Sequence, residues 1–134
     1  MNNGGTAFSL TGNNATVCSN TAAVAAGGAA GCPTNPTTTT LTATAVGPAL
    51  TFANPFARVL FYYTDPTSGR SFQICSSSAT SVTDNTTVGT RTWSYTCTFA
   101  PALAAGPYNT FALGVDSSGR ALMTQPFVVT VAVD

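Results

Sequence analysis

The sequence predicts an all-β fold, and three observations support that prediction. Short runs of β-branched and aromatic residues follow one another from Leu41 onward. Clusters of Gly, Pro, Asp and Ser separate these runs, and no segment repeats its apolar residues at the helical period. Short strands joined by tight turns are typical of a sandwich of two sheets. We therefore expect an antiparallel β-sandwich over residues 41–134.

Residues 91–99 show the clearest strand pattern. Successive side chains of a strand point to opposite faces, so aromatic and cysteine residues share one face here while Thr and Ser share the other. The apolar set is Trp93, Tyr95, Cys97 and Phe99, and the hydroxyl set is Thr92, Ser94, Thr96 and Thr98. We expect the first set in the core and the second in solvent.

Two later runs, residues 109–115 and 127–133, are expected to pair as a hairpin. The same alternation assigns inward positions to both runs. The residues expected inward are Phe111, Leu113 and Val115 in the first run, and Phe127, Val129, Val131 and Val133 in the second.

Two similar segments, residues 65–70 and 116–120, begin with Asp and end with Gly-Arg. Asp or Pro at the first corner, with Gly where φ must be positive, is the chemistry of a turn. A calcium or ligand site at these Asp and Arg pairs is the alternative. Because calcium sites gather several carboxylates in one loop and each segment offers one, the turn interpretation is favoured.

Residues 1–40 form a separate region, rich in Ala, Gly, Pro and Thr, that we expect to be irregular and docked on the sandwich. The short alternating runs at residues 7–10 and 15–18 are compatible with edge strands. We expect this region to dock along a sheet edge of its own or of a neighbouring subunit, which makes Phe8 and Leu10 candidate interface residues.

In the run at residues 59–63, both faces of the expected strand carry apolar or aromatic residues. Either Val59, Phe61 and Tyr63 point inward, or Leu60 and Tyr62 do. In the first case Leu60 and Tyr62 form an exposed apolar patch, and such patches usually mark an interface.

Four cysteines, Cys18, Cys32, Cys75 and Cys97, lie far apart without a CxxC pair or a histidine. Two disulfides are therefore favoured over a zinc or thiol site, and the first expectation among three pairings is Cys18 with Cys32 and Cys75 with Cys97. Such bridges imply an oxidising compartment or a thermophile. Cys75 alternates out of phase with Phe72 and Ile74, so a bridge from Cys75 to Cys97 requires a bulge, a strand end or a sheet switch near Cys75.

Charge is scarce, since 6% of residues are charged and the net charge is zero. Ordinary soluble domains carry about 25%. Four arginines matched by four aspartates supply no basic stripe for nucleic acid, and no apolar run is long enough for membrane insertion. The polar opening at residues 1–5 is not a signal peptide, which leaves either a removed signal or a virion protein that never had one.

The residues that usually perform acid–base catalysis are missing, because the sequence contains no His, Glu or Lys. A nucleophilic Ser or Cys would lack an adjacent imidazole. We therefore expect no enzyme, no cofactor and no metal site. The triplets beginning at Asn14 and Asn85 are candidate glycosylation sites.

The stretch from Arg58 to Val133 resembles the bacterial immunoglobulin-like and fibronectin-type modules of cell-surface proteins. The matching segments are residues 59–63, 93–96, 105–108 and 111–119, which include Gly106-Pro107-Tyr108 and the closing Asp116-Ser117-Ser118-Gly119 turn. The resemblance implies an immunoglobulin-like sandwich without fixing one function, because that family contains adhesins, enzyme appendages, pilus parts and phage decorations.

Composition and resemblance together predict a structural or adhesive subunit of an extracellular or cell-surface assembly, such as a pilus, filament or surface layer. Its uncharged exterior suits packing against copies of itself. The expected partners are lattice neighbours and a surface glycan or receptor. A virion decoration protein and a carbohydrate-binding module are the alternatives.

Overall fold

The structure is a computed structural model that describes residues 7–19, 36–78 and 80–132. Strands account for the regular structure of this part of the chain. They are β1 (Ala7–Gly12), β2 (Thr16–Cys18), β3 (Thr39–Gly47), β4 (Arg58–Thr64), β5 (Ser71–Ser77), β6 (Thr80–Asn85), β7 (Thr90–Phe99), β8 (Gly106–Val115), β9 (Ala121–Met123) and β10 (Phe127–Ala132).

The strands form two sheets. Sheet A has the order β1-β3-β7-β6, and sheet B has the order β2-β10-β8-β4-β5, with β9 also paired to β8. Neighbouring strands are antiparallel, except that β2 runs parallel to β10. The expected antiparallel-rich β-sandwich is confirmed.

The two short N-terminal runs are edge strands of different sheets. β1 pairs along the whole of its length with β3, while β2 pairs with the last three residues of β10. Residues on either side of β2 extend this pairing, since the Thr130 amide donates to the Ala15 carbonyl and the Ser19 amide to the Ala132 carbonyl. The beginning of the described chain therefore contributes to both layers of the sandwich.

The core lies between the inner faces of the sheets. On β7 the expected face is confirmed: Tyr95 is fully buried, Cys97 and Phe99 are nearly so, and Thr96 and Thr98 are exposed. Trp93 is partly buried against the core and donates its indole N–H to the Phe52 carbonyl at 2.9 Å. The fully buried partners on other strands include Leu41, Ala43, Val59, Phe61 and Val129.

Strand β8 has the opposite orientation to the one expected. Tyr108, Thr110, Ala112 and Gly114 face the core, so the prediction that Phe111, Leu113 and Val115 point inward is wrong. The reason is the ring of Phe56, a residue of the loop at residues 48–57, which occupies the space on the inner side of Gly114. A Cβ atom on Gly114 would lie 2.6 Å from that ring.

Polar groups on the inner side of β8 are hydrogen-bonded, which makes their burial tolerable. The Thr110 hydroxyl donates to the Phe127 carbonyl at 2.6 Å, and the Thr124 hydroxyl accepts from the Ala112 amide at 3.0 Å. Ala112 and Gly114, the second of which lies under the Phe56 ring, thus take inward positions in place of the larger side chains that periodicity alone favoured.

The rest of the C-terminal hairpin agrees with expectation. β10 pairs antiparallel with β8, Val129 and Val131 are buried, and Phe127 packs against the core. Val133 lies outside the described residues. The glycines of the two similar turns have the expected positive φ, 72° at Gly69 and 90° at Gly119.

Candidate functional site

A disulfide between Cys75 and Cys97 joins β5 of sheet B to β7 of sheet A, which confirms this expected pairing. The facing conflict at Cys75 is resolved by a bulge. Phe61 pairs with Cys75 while Tyr62 pairs with Gln73, so Ile74 is an extra residue in β5. An extra residue reverses the alternation, and Cys75 therefore shares the inner side with Phe61.

Cys18 is fully buried at the end of β2 and is also disulfide-bonded. Cys32, its predicted partner, lies outside the described residues.

The outer side of sheet B carries a group of six apolar residues, none of which is charged. Leu60 pairs with Leu113 and Tyr62 with Phe111 across β4 and β8, and the Tyr62 and Phe111 rings stack at 5.2 Å with 14° between their planes. Flanking strands add Met123 and Val128, which are 60% and 46% exposed. We call these six residues the apolar face.

The predicted interface residues separate into two pairs. Leu60 and Tyr62 belong to the apolar face. Leu10 is 7% exposed, and Phe8 is partly buried against Phe56 with ring centroids 4.7 Å apart. Leu10 and Phe8 therefore help to hold β1 on the core instead of forming an exposed interface.

The outer side of sheet A is covered by hydroxyl groups. Thr42 pairs with Thr96 and Thr44 with Ser94, and the Ser9 and Thr44 hydroxyls are hydrogen-bonded at 3.0 Å. We call these five residues the hydroxyl face. It contains neither an aromatic nor a charged side chain.

A third surface feature is a cleft between the end of β4, β5 and the loop that joins β7 to β8. Tyr63 lies at its centre, with its ring 5.5 Å from Phe72, 5.7 Å from Phe99 and 6.0 Å from Tyr108. Two adjoining cavities of about 420 and 390 Å³ share Tyr63 and Leu103. We call this feature the aromatic cleft.

The phenol groups near the core have altered ionisation. Burial raises the pKa of Tyr95, whose hydroxyl donates to Asn54 Oδ1. Burial, together with the negative charge of Asp65, raises the pKa of Tyr108, whose hydroxyl donates to the Ala104 carbonyl at 2.8 Å. Both groups are therefore neutral donors at physiological pH.

The two similar turns use their aspartates differently. Asp116 accepts from the Ser118 and Arg120 amides at 2.9 Å and pairs with the Arg120 guanidinium at 3.3 Å, and its hydrogen bonds from Ser118 hold its pKa below the usual range. Asp65 accepts from the Thr67 amide and the Ser68 hydroxyl at 3.0 Å. Among the described residues no arginine pairs with Asp65.

The two candidate glycosylation sites differ in accessibility. Asn14 is partly buried, and its amide nitrogen donates to the Thr38 carbonyl at 3.2 Å. Asn85 is exposed at the end of β6, where its oxygen accepts from the Thr87 amide at 3.1 Å. Only Asn85 presents its triplet on an open turn.

Within the described ranges, no group of three or more His, Cys, Asp or Glu residues lies close enough to hold a metal ion. The same residues include no helix that is long and apolar enough to span a bilayer. No protein-family model matches the chain, and no curated protein matches its sequence. Function has therefore to be inferred from the two outer faces, the aromatic cleft and the turns.

Proposed function

We propose that the protein is a non-enzymatic, immunoglobulin-like structural or adhesive subunit of an extracellular surface assembly. The observation that supports this most strongly is the apolar face of sheet B. Contiguous apolar surface on a soluble domain usually marks a site of protein association. Here Tyr62 lies beside Phe111 and Met123 beside Leu113, and Val128 lies on the same side of the sheet beside Asn109.

The occupant that we propose for the apolar face is a second copy of the chain. Only 6% of all residues are charged, so two copies approach each other with little electrostatic repulsion. The Tyr62 and Phe111 rings offer rigid apolar area, and aromatic residues are enriched in the cores of protein interfaces. A two-fold arrangement would place the same patch on both partners.

Two features support the immunoglobulin-like assignment. In the lettering used for that fold, β1-β3-β7-β6 corresponds to strands A-B-E-D, and β10-β8-β4 corresponds to G-F-C. The Tyr108 hydroxyl reaches back to the Ala104 carbonyl at the start of β8, as in the tyrosine corner of that fold. The bridge between β5 and β7 differs from the B-to-F disulfide of antibody domains.

The Cys75–Cys97 disulfide favours a secreted or cell-surface location over a virion protein assembled in a reducing cytoplasm. The carbohydrate-module alternative depends on an exposed aromatic platform. Trp93 is unsuited to that role, because it packs against the core and its indole N–H is hydrogen-bonded to Phe52.

Analytical ultracentrifugation over a range of concentrations tests the proposed self-association. We expect the wild-type chain to associate, and Val128→Asp to weaken the association by about tenfold or more, because the interface would desolvate two like charges. Thr96→Asp on the hydroxyl face is the matched control and should associate as the wild type does. A wild-type chain that stays monomeric, or equal weakening by Thr96→Asp, would contradict the proposal.

A further inference from the structure

The two similar turns leave their carboxylates in different electrostatic surroundings. In residues 116–120 the arginine follows the aspartate by four positions and returns to it. The turn at residues 65–70 is one residue longer, and Arg70 instead lies over the ring of Phe72, 5.8 Å from its centroid. Asp65 therefore has no cationic partner among the described residues.

Asp65 lies in the wall of the aromatic cleft. The smaller cavity, of about 390 Å³, is lined by Asp65, Thr67, Leu103 and three aromatic residues, Tyr63, Phe72 and Tyr108. Its volume is within the range of about 300–1,000 Å³ that is usual for small-molecule sites. Tyr63 and Tyr108 meet nearly edge to face, with 80° between their planes. The smaller cavity is thus bordered by aromatic rings in different orientations and by the carboxylate of Asp65.

Among the residues that line this cavity, Asp65 carries the one formal charge. Aromatic ring faces carry negative charge density, and the Asp65 carboxylate adds a full charge. Its influence extends across the cleft, since it contributes to the raised pKa of Tyr108. No basic residue is among the side chains that line either cavity. An anion would be repelled here, whereas a cation would be attracted by the carboxylate.

From these observations we propose that the aromatic cleft binds an alkylated ammonium group of the choline class, held by the aromatic residues that line the smaller cavity and by the charge of Asp65. Such cations are large and weakly hydrated, so they lose little on leaving water and are well suited to aromatic surroundings. The position of Arg70 over Phe72 already shows that this ring accepts a cation.

This site is separate from the proposed self-association. Tyr63 packs on the core side of β4, whereas the apolar face uses Leu60 and Tyr62 on the opposite side of the same strand. Loss of one activity therefore leaves the other unaffected, and the two proposals fail independently.

Titration of the labelled protein with choline, followed by NMR, tests the proposal. We expect saturable shifts at Tyr63, Phe72 and Tyr108, and at least about tenfold weaker binding of 3,3-dimethyl-1-butanol, in which carbon replaces the charged nitrogen. Absence of saturable choline binding, or equal binding of this neutral isostere, would overturn the proposal.

Three variants locate the site. Asp65→Asn keeps an oxygen for the Thr67 amide, so the turn is preserved, and we expect choline binding to weaken by about fivefold or more. Phe72→Leu keeps the apolar volume without the ring and should also weaken binding. Asp116→Asn, in the turn whose aspartate is paired, is the matched control and should bind as the wild type does. Unchanged affinity in Asp65→Asn with an unchanged melting temperature would contradict the assignment.

Vesicles identify the source of the ammonium group. Retention on phosphatidylcholine vesicles, but not on phosphatidylglycerol vesicles, would assign a lipid headgroup. Choline binding without retention would assign a soluble or polymer-linked ligand, and both results support the ammonium site.

Discussion

The two outer faces of the sandwich have opposite chemistry although both come from alternating strands. On sheet A, the outward positions of β3 and β7 are Thr and Ser, as at Thr42 and Thr96, with Val46 as the exception on β3. On sheet B, the outward positions of β4 and β8 include Tyr62 and Phe111, which stack on each other. One sheet therefore has a face suited to water, and the other has apolar side chains on both of its sides.

This difference supports the proposal that the outer side of sheet B meets a partner. Antiparallel sheets with one side in water alternate apolar and polar residues, whereas strands covered on both sides have nearly continuous apolar sequences. β7 is of the first kind, and the central part of β4, Val59 to Tyr63, is of the second. Sheet B has the sequence of a covered sheet, which is why we propose its outer side as the site of association.

The largest effect is expected when the two sheets lose their covalent link. The Cys75–Cys97 bridge closes a loop with a sequence separation of 22 residues. Chain-entropy arguments give about 3 kcal/mol of stabilisation for such a loop. The double variant Cys75→Ala/Cys97→Ala should lose about that amount in denaturant unfolding. A loss below about 1 kcal/mol would show that packing alone holds the sheets together.

A smaller effect on stability is expected from substitutions on the inner and outer sides of β8. Gly114→Val places methyl groups against the Phe56 ring, and overpacking of this kind costs about 1–3 kcal/mol. Leu113→Ala, one position earlier on the outer side, should cost less than about 1 kcal/mol. Thermal unfolding of both variants measures the difference. The reverse order of stability would mean that Leu113 faces the core.

These strands also show how far the sequence was informative. β7 was correctly oriented, because only one of its faces is apolar. β8 carries its larger aliphatic residues and Phe111 on the outer face, so alternation gave the wrong direction, and the inner face is set by Phe56, which lies far away in the chain. The bulge at Ile74 was anticipated as one of three solutions, because the cysteine pairing required a change of phase.

The aromatic cleft was not predicted. Tyr63, Phe72 and Tyr108 come from three strands, and Asp65 was correctly placed in a turn. Their convergence depends on strand order and on the bulge in β5, neither of which local patterns specify. The different use of Asp65 and Asp116 depends on a single additional residue in the first turn.

The smallest effect is expected from pH near neutrality, because the chain has no His, Glu or Lys. The Asp84 carboxylate accepts a hydrogen bond from the Arg91 guanidinium at 2.7 Å, and this bond lowers the pKa of Asp84 from 3.8. A lowered pKa stabilises the fold above 3.8, and this stabilisation is lost as the pH falls through the folded value. In melting temperatures measured over a series of acidic pH values, Asp84→Asn should show a smaller decrease with falling pH than the wild type does.

At alkaline pH the dependence of stability on pH has the opposite sign, because stability falls as the pH rises. Burial raises the pKa of Tyr95 above its ordinary value of 10.0. Its contribution is complete below 10.0 and is lost as the pH rises through the higher folded value. We expect nearly constant melting temperatures from about pH 5 to pH 9. A transition inside that window would contradict this assignment of the titrating groups.

The difference between the two outer faces is tested most directly by NMR spectra of the labelled wild-type chain at low and high concentration. Self-association through sheet B predicts concentration-dependent shifts at Leu60, Tyr62, Phe111, Leu113, Met123 and Val128, with Thr42, Thr44, Ser94 and Thr96 unchanged. Shifts centred on the hydroxyl face of sheet A, or spectra that do not change with concentration, would contradict the account.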